Sequence, residues 1–310
     1  MTGARELVFL VGCLALFGAM WGATQPLSKV AVSGGYQPLG LVFWQLCIGA
    51  IFLTVVNTLR GNSLPFGREH LRVYIVIALI GTVLPNSASY EAIRHLPAGL
   101  VSILLSMVPL FAFPVALMLA TDHFSAKRLI GLVFGLIGVL TIVLPDASLP
   151  DRAMIVFVPL ALIAPLFYAF EGNYVAKWGT AGLDPVQVLC GASIVGAVIV
   201  LPFAIITGQF IDPRPPWGAP DLALITAALL HACAYTGYVW MVGRAGPVFA
   251  VQVSYLVTGF GVVWAMLFLG ERYSGWIWAA MALMFVGMFL VQPRQKPALA
   301  VSGATGDDAP

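Results

Sequence analysis

Arg94-His95-Leu96-Pro97-Ala98 stands 149 residues ahead of Gly243-Arg244-Ala245-Gly246-Pro247, and each stretch is a basic, proline-bearing break between two apolar runs. At the same offset Ala120-Thr121-Asp122 falls on Leu269-Gly270-Glu271, and Gly138 on Gly287. Earlier in the chain the offset is 147. There Tyr36-Gln37-Pro38 meets Leu183-Asp184-Pro185, Gly49 meets Gly196, the Leu59-Arg60-Gly61 turn meets Thr207-Gly208, and Trp21 meets Tyr168. One insertion in a loop accounts for the two-residue change. Self-similarity over half the chain, with Gly and Pro positions matching together, reads as two copies of one unit.

Each copy is built for lipid. Of 310 residues, 60% are hydrophobic and 9% charged, with mean hydropathy +0.97. A soluble chain carries roughly 25% charged residues, so this one could not cover its own surface in water. The net charge of +2 is too small for a nucleic-acid binder. A bilayer core of about 30 Å takes roughly 20 apolar residues per helix. Breaks at charged, Pro- and Gly-rich punctuation leave ten such segments, near 7–29, 37–59, 72–93, 98–120, 127–145, 153–177, 186–208, 219–243, 247–270 and 274–292. The expected fold is an all-α integral membrane protein of ten transmembrane helices. The units cover 7–145 and 153–292, followed by a polar tail at 293–310 expected to be a disordered cytoplasmic segment. Five spans per unit is an odd number, so the second unit should enter the membrane from the opposite side. Inverted repeats of this kind are the architecture of secondary transporters, with the substrate site near the midplane where the repeats meet.

Orientation follows from the Lys/Arg content of short loops. With the N-terminus in the cytoplasm, ten basic residues, among them Arg60, Arg68, Arg72, Lys127 and Arg128, lie inside. Five, Lys29, Arg94, Arg152, Arg214 and Arg272, lie outside. Both termini are therefore expected in the cytoplasm, and the bacterial inner membrane is the expected location. The first span is too long for a signal peptide and reads as an uncleaved anchor.

Catalytic and metal chemistry is not indicated. Cys13, Cys47, Cys190 and Cys233 are scattered through apolar runs, and His70, His95, His123 and His231 show no ligand spacing. No Walker loop, nucleophile elbow or HExxH is present. No cofactor and no metal are expected, nor ATP hydrolysis by a Walker site.

Several segments carry a resemblance. Gly-Ala-Met-Trp-Gly-Ala-Thr-Gln-Pro-Leu (18–27), Tyr-Glu-Ala-Ile-Arg-His-Leu-Pro-Ala-Gly-Leu (90–100), Met-Val-Pro-Leu (107–110) and Leu-Gly-Glu-Arg-Tyr-Ser (269–274) resemble EamA-type members of the drug/metabolite transporter superfamily. The likeness covers about 7–292 as two EamA units. It implies ten helices, cytoplasmic termini and alternating-access transport of a small metabolite. The chain departs from the family pattern at Gln25-Pro26 and at Glu91, so the resemblance carries no substrate with it.

The site must then be sought among polar groups that cost free energy to bury. An ionisable residue within a span is a functional candidate by default. Glu171 qualifies, with Tyr168 at i−3 on its face and Asn173 adjoining. It reads either as a proton or substrate-amine site, or as a boundary carboxylate paired with Lys177. Glu91 reads as a surface ion pair with Arg94. In the first span Trp21 and Gln25 share a face beside Thr24, and Pro26 is expected to interrupt the backbone bonding there. Lys29 reads as snorkelling to the headgroups. Asn86 and Tyr90 lie at i, i+4; His231, Tyr235 and Tyr238 at i, i+4, i+7; Gln252 and Tyr255 at i, i+3. Such stripes should face inward, lining a cavity or bonding helix to helix. Ser102 and Ser106, and the glycines at 131, 135 and 138, read as packing. Spans one, three, four, six, eight and nine should line the cavity, and two, five, seven and ten, nearly bare of buried polar groups apart from Gln45, Gln187 and Ser193, should brace it.

Aromatic walls with few charges suit an amino acid or similar amphiphilic solute, and the expected activity is its export, with protons as a possible coupling ion. The expected partners are a small-molecule substrate and the bilayer, and the chain could be monomeric or a homodimer. A flippase of a lipid-linked intermediate and an intramembrane lipid-modifying enzyme are the alternatives. The first would show a lateral opening, the second a metal cluster or a nucleophile–base pair.

Overall fold

Among the described residues, ten apolar helical stretches alternate in direction between two ends of a bundle. The computed structural model describes the backbone of residues 3–245, 247–250 and 252–291. Among them, eight helical stretches are long and apolar enough to cross a membrane: Arg5–Ser33, Pro38–Leu59, Arg68–His95, Ala98–Met118, Ala126–Val143, Arg152–Trp178, Pro185–Ile206 and Ala219–Ala245. Two shorter apolar helices follow, Val253–Leu269 and Gly275–Val291. These ten are referred to below as the first to tenth spans. The expected tail at 293–310 lies outside the described residues.

Local chemistry sets the ends. Pro38 and Pro185 open the second and seventh spans, where the missing N–H costs nothing. Asp184 accepts from the amides of Val186 and Gln187, and the Gln187 side chain accepts from the Asp184 amide, closing a capping box. Gly270 ends the ninth span at φ +67°, a conformation that a Cβ would strain. The first span runs through Pro26 without a break. The third widens into a π-turn at Leu79–Val83.

The two ends are named here by Asp184 and Glu271. Pairs across the bundle place the chain between them. Arg60 meets Asp184 at 3.2 Å, and Glu6 meets Arg244 at 2.8 Å. At the other end the His95 and Phe157 rings stack at 3.8 Å, and the Tyr36 hydroxyl donates to Asp221 at 2.5 Å. Burial and the Asp221 carboxylate push the Tyr36 phenol up to about 12. The first span therefore runs from the Asp184 end to the Glu271 end, and the sixth runs the other way.

Packing pairs the halves. The first span lies against the eighth and ninth, and the sixth against the third and fourth. The second packs on the seventh and the fifth on the tenth. Close approach at the fifth–tenth contact needs glycine: a Cβ on Gly131 would sit 2.7 Å from the Gly287 carbonyl, and one on Gly138 would sit 2.9 Å from Met284. The first span meets the ninth the same way, since a Cβ on Gly22 would lie 2.8 Å from the Gly261 amide.

The apolar core is not evenly spread. At the Glu271 end one continuous cluster runs through Ala31, Ile93, Leu96, Leu100, Val158 and Ala265, joining both halves. That cluster continues along the fourth, fifth and tenth spans to Phe113 and Val291, while the other spans toward the Asp184 end carry separate clusters. One, around Leu14, Met241 and Val253, holds the first, eighth and ninth spans. Another, around Tyr74, Ile77 and Val188, holds the third and seventh, with Tyr174 and Val175 of the sixth packed on it.

Candidate functional site

A pocket of about 480 Å³, part of it continuous with the exterior, lies where the shared core ends. Its walls come from the first, second, third, fourth, sixth and eighth spans. Among the described residues no Asp, Glu, Lys or Arg lines it; amides, hydroxyls and one imidazole do.

The polar groups are ordered by one another. Gln45 Oε1 accepts from the Tyr90 hydroxyl at 2.7 Å and from Asn86 Nδ2 at 3.2 Å. Asn86 Oδ1 accepts from the Tyr168 hydroxyl at 2.6 Å. Both lone pairs of the Gln45 carbonyl are thereby used, and its two amide hydrogens are left to donate elsewhere. Both phenols donate within the network, so each retains acceptor capacity. Such a network in a low-dielectric interior is stiff, because each bond polarises the next.

At the eighth-span side of the lining, His231 Nδ1 accepts from Trp21 Nε1 at 3.1 Å. His231 accepts through Nδ1, so the neutral imidazole carries its hydrogen on Nε2 as a further donor. Trp21 also meets the Tyr235 ring at 6.5 Å and the Tyr238 ring at 5.7 Å, within the range of aromatic attraction. Thr24 and Ser28 spend their hydroxyl hydrogens on the carbonyls of Trp21 and Thr24, leaving acceptor oxygens. Gln25 and Ser89 complete the polar lining.

Of the residues singled out in the sequence, Gln25, Asn86, Tyr90, Tyr168 and His231 line the pocket, Trp21 stands against His231, and Tyr235 packs on Trp21 while its hydroxyl donates to the Pro185 carbonyl at 3.4 Å. Glu171 lies one turn from Tyr168 toward the Asp184 end, outside the lining. Its carboxylate fills the notch left by Gly81 in the π-turn, with oxygens 2.5 and 3.0 Å from where a Cβ would stand. Lys177 does not meet it: Nζ donates to the Leu119 carbonyl at 2.8 Å. Asn173 is spent on the carbonyls of Ala112 and Ala169, bonding the sixth span to the fourth. The Tyr255 ring packs on Phe285 at 5.6 Å, and Gln252 stands at the start of the ninth span; neither lines the pocket.

Two readings change. Gln45 belongs to a span expected only to brace, yet its amide is the hub of the network. Lys29 does not snorkel: Nζ donates to the carbonyls of Ile93, Arg94 and Leu96 at 2.7, 3.2 and 3.0 Å. The helix runs on through Pro26, whose missing N–H leaves the Gly22 carbonyl without that bond, as the sequence suggests. Glu91 meets Arg94 at 3.0 Å and His95 at 3.2 Å, the ion pair its spacing suggests. Ser102 and Ser106 donate to carbonyls of their own helix, as packing residues do.

A model of the EamA-like transporter family matches the chain twice, over residues 9–144 and 156–292. The chain is 25% identical over 285 residues to the "Uncharacterized transporter YvbV" of Bacillus subtilis (strain 168), across 91% of each protein. It is 23% identical over 293 residues to a "Probable terminal-alkyne amino-acid exporter" of Streptantibioticus cattleyicolor, across 92% of this chain and 93% of that one. A solved crystal structure shares the fold, with TM-score 0.59 and 18% identity over 89% of this chain and 94% of that one. Two matches that together span most of the chain, on a bundle of apolar helices around a polar pocket, decide the family: this multi-pass membrane protein belongs to the EamA-like transporters.

Proposed function

We propose that the chain is a secondary transporter that exports an amino acid or similar zwitterionic or amphiphilic metabolite by alternating access, the two units acting as inverted repeats. The pocket is its substrate site. The observation that carries this reading is the neutral lining. Amide and imidazole N–H groups suit a carboxylate, phenol oxygens and aromatic faces suit an ammonium group, and a phosphate would call for paired basic residues. The exporter named among the relatives supports the same class.

Glu171 is the group through which a proton or a substrate amine is exchanged, and Gly81 gives it room. Both termini lie in the cytoplasm of a bacterial cell, and the pocket exchanges substrate without chemical change. The test is counterflow of amino acids in proteoliposomes at two pH values. Glu171→Gln should lower the initial rate by about tenfold or abolish its pH dependence, with an unchanged melting temperature. Gly81→Ala, which displaces the carboxylate without removing it, should do the same. Near-normal, still pH-dependent transport by Glu171→Gln would sink the role of Glu171, and stabilisation by sugar phosphates but not amino acids would sink the substrate class.

A further inference from the structure

The third and fourth spans meet at Leu96-Pro97, where Pro97 stops one helix from running into the next. The last carbonyls of the third span and the first amides of the fourth are left without helical partners. Two charges from elsewhere in the chain satisfy them. Lys29, on the first span, gathers the carbonyls of Ile93, Arg94 and Leu96. Glu271, between the ninth and tenth spans, accepts from the amides of Ala98 at 2.7 Å and Gly99 at 3.1 Å. Tyr273 donates to the same carboxylate and packs on Gly99, where a Cβ would lie 2.1 Å from its hydroxyl. Each charge sits at the helix end whose dipole favours it.

What sets these bonds apart is what they connect. The first and ninth spans share one apolar cluster toward the Asp184 end, and the third and sixth share another. Lys29 reaches from the first of these groups to the second, and Glu271 ties the loop after the ninth span to the first amides of the fourth, a span packed against both the ninth and the sixth. Their partners at the matched places of the other half do not. Asp122, aligned with Glu271, pairs with Arg128 and accepts from the His123 amide. Lys177, one residue from the place matched to Lys29, holds Leu119 on the neighbouring fourth span. The first span also packs on the third and fourth near the Glu271 end, and among the described residues the sixth makes no comparable packing on the eighth or ninth.

We infer that Lys29 and Glu271 form a clamp that holds the Glu271 end of the transport path shut, and that both sets of bonds part when the pocket opens there. The inference rests on the alternating-access reading above. Released at a water-facing end, the ammonium, the carboxylate and the helix ends all hydrate, which makes the lock reversible.

The test reads access rather than transport. In a protein with Cys13, Cys47, Cys190 and Cys233 replaced by Ala, Ser89→Cys places one thiol on the pocket wall. A membrane-impermeant sulfonated maleimide is applied to one face of proteoliposomes at a time. The parent should react mainly from the Asp184 face. Glu271→Gln and Lys29→Gln should each raise reaction from the Glu271 face by about tenfold. Gly99→Ala changes no charge but displaces Tyr273, and it should act in the same direction. Lys29→Arg should retain the parent pattern, and Lys177→Gln should leave access at the Glu271 face unchanged. An asymmetric parent whose Glu271-face reaction stays flat in all three clamp variants, while their melting temperatures fall, would reduce the pair to helix caps and overturn the clamp. Equal reaction from both faces of the parent would overturn the alternating-access reading, and the clamp with it.

Discussion

The two ends of this bundle are built from the same kinds of helix, yet one is fused and the other divided. At the Glu271 end a single apolar cluster crosses between the halves, and charge-assisted bonds reach over the break between the third and fourth spans. Toward the Asp184 end that cluster continues along the fourth, fifth and tenth spans, and the apolar residues of the other spans separate into clusters. The polar ties found there are half-exposed ones such as Arg60 with Asp184 and Glu6 with Arg244. Exposed pairs are worth about 0–1 kcal/mol each, too little to hold two packed groups together. The difference teaches where such a bundle can move: with the pocket between the fused and the divided parts, the transport reading proposed above has substrate reaching it from the divided side.

Breaking the fused end should have the largest effect. Leu100 is fully buried there, and Leu100→Ala should cost about 2–5 kcal/mol of stability, visible as a lower melting temperature in detergent. Leu14→Ala in the divided end should cost less, because its cluster is small and Leu14 is less completely buried than Leu100. Equal losses at the two ends would remove the contrast. At the boundary, Gln45→Leu strips the acceptor from Tyr90 and Asn86 together. Leaving such groups unpaired costs about 1–3 kcal/mol, so substrate affinity should fall by about tenfold, whereas Tyr90→Phe should cost less; isothermal titration of both variants ranks them. The smallest effect belongs to the Asp184 end. Arg60→Gln should shift the melting temperature hardly at all, and raising the salt concentration should erase what shift there is. A large, salt-insensitive shift would mean that the divided end is held more firmly than its clusters imply.

Much of this was legible in the chain. Composition announces lipid, because a chain with 9% charged residues has no other solvent for its surface. The repeat shows in paired Gly and Pro positions, since turns and close contacts tolerate few substitutes. The stripes of Trp21 with Gln25 and of His231, Tyr235 and Tyr238 were legible too, because polar-aromatic residues at helical spacing must avoid lipid, though only the fold brings the two stripes together. Asn86 and Tyr90 were found on the same ground, while Asn173 and Tyr255 met the same rule and serve helix contacts instead.

Residue order alone therefore determined the class of protein, the helices and their two-unit order, and the short list of polar side chains that had to turn inward. The tertiary structure alone decided which of them meet. On a helix that is apolar all round, lipid and protein interior look alike, so no periodicity marks the inward face. Gln45 became the hub of the pocket only when the third span brought Asn86 and Tyr90 to it. Lys29, which by sequence could have reached for headgroups, found three carbonyls 64 to 67 residues away. Glu171 found a glycine notch where sequence offered a lysine. Each of these partnerships is long-range, and a single buried charge or amide takes whichever partner the packing of the other helices presents to it.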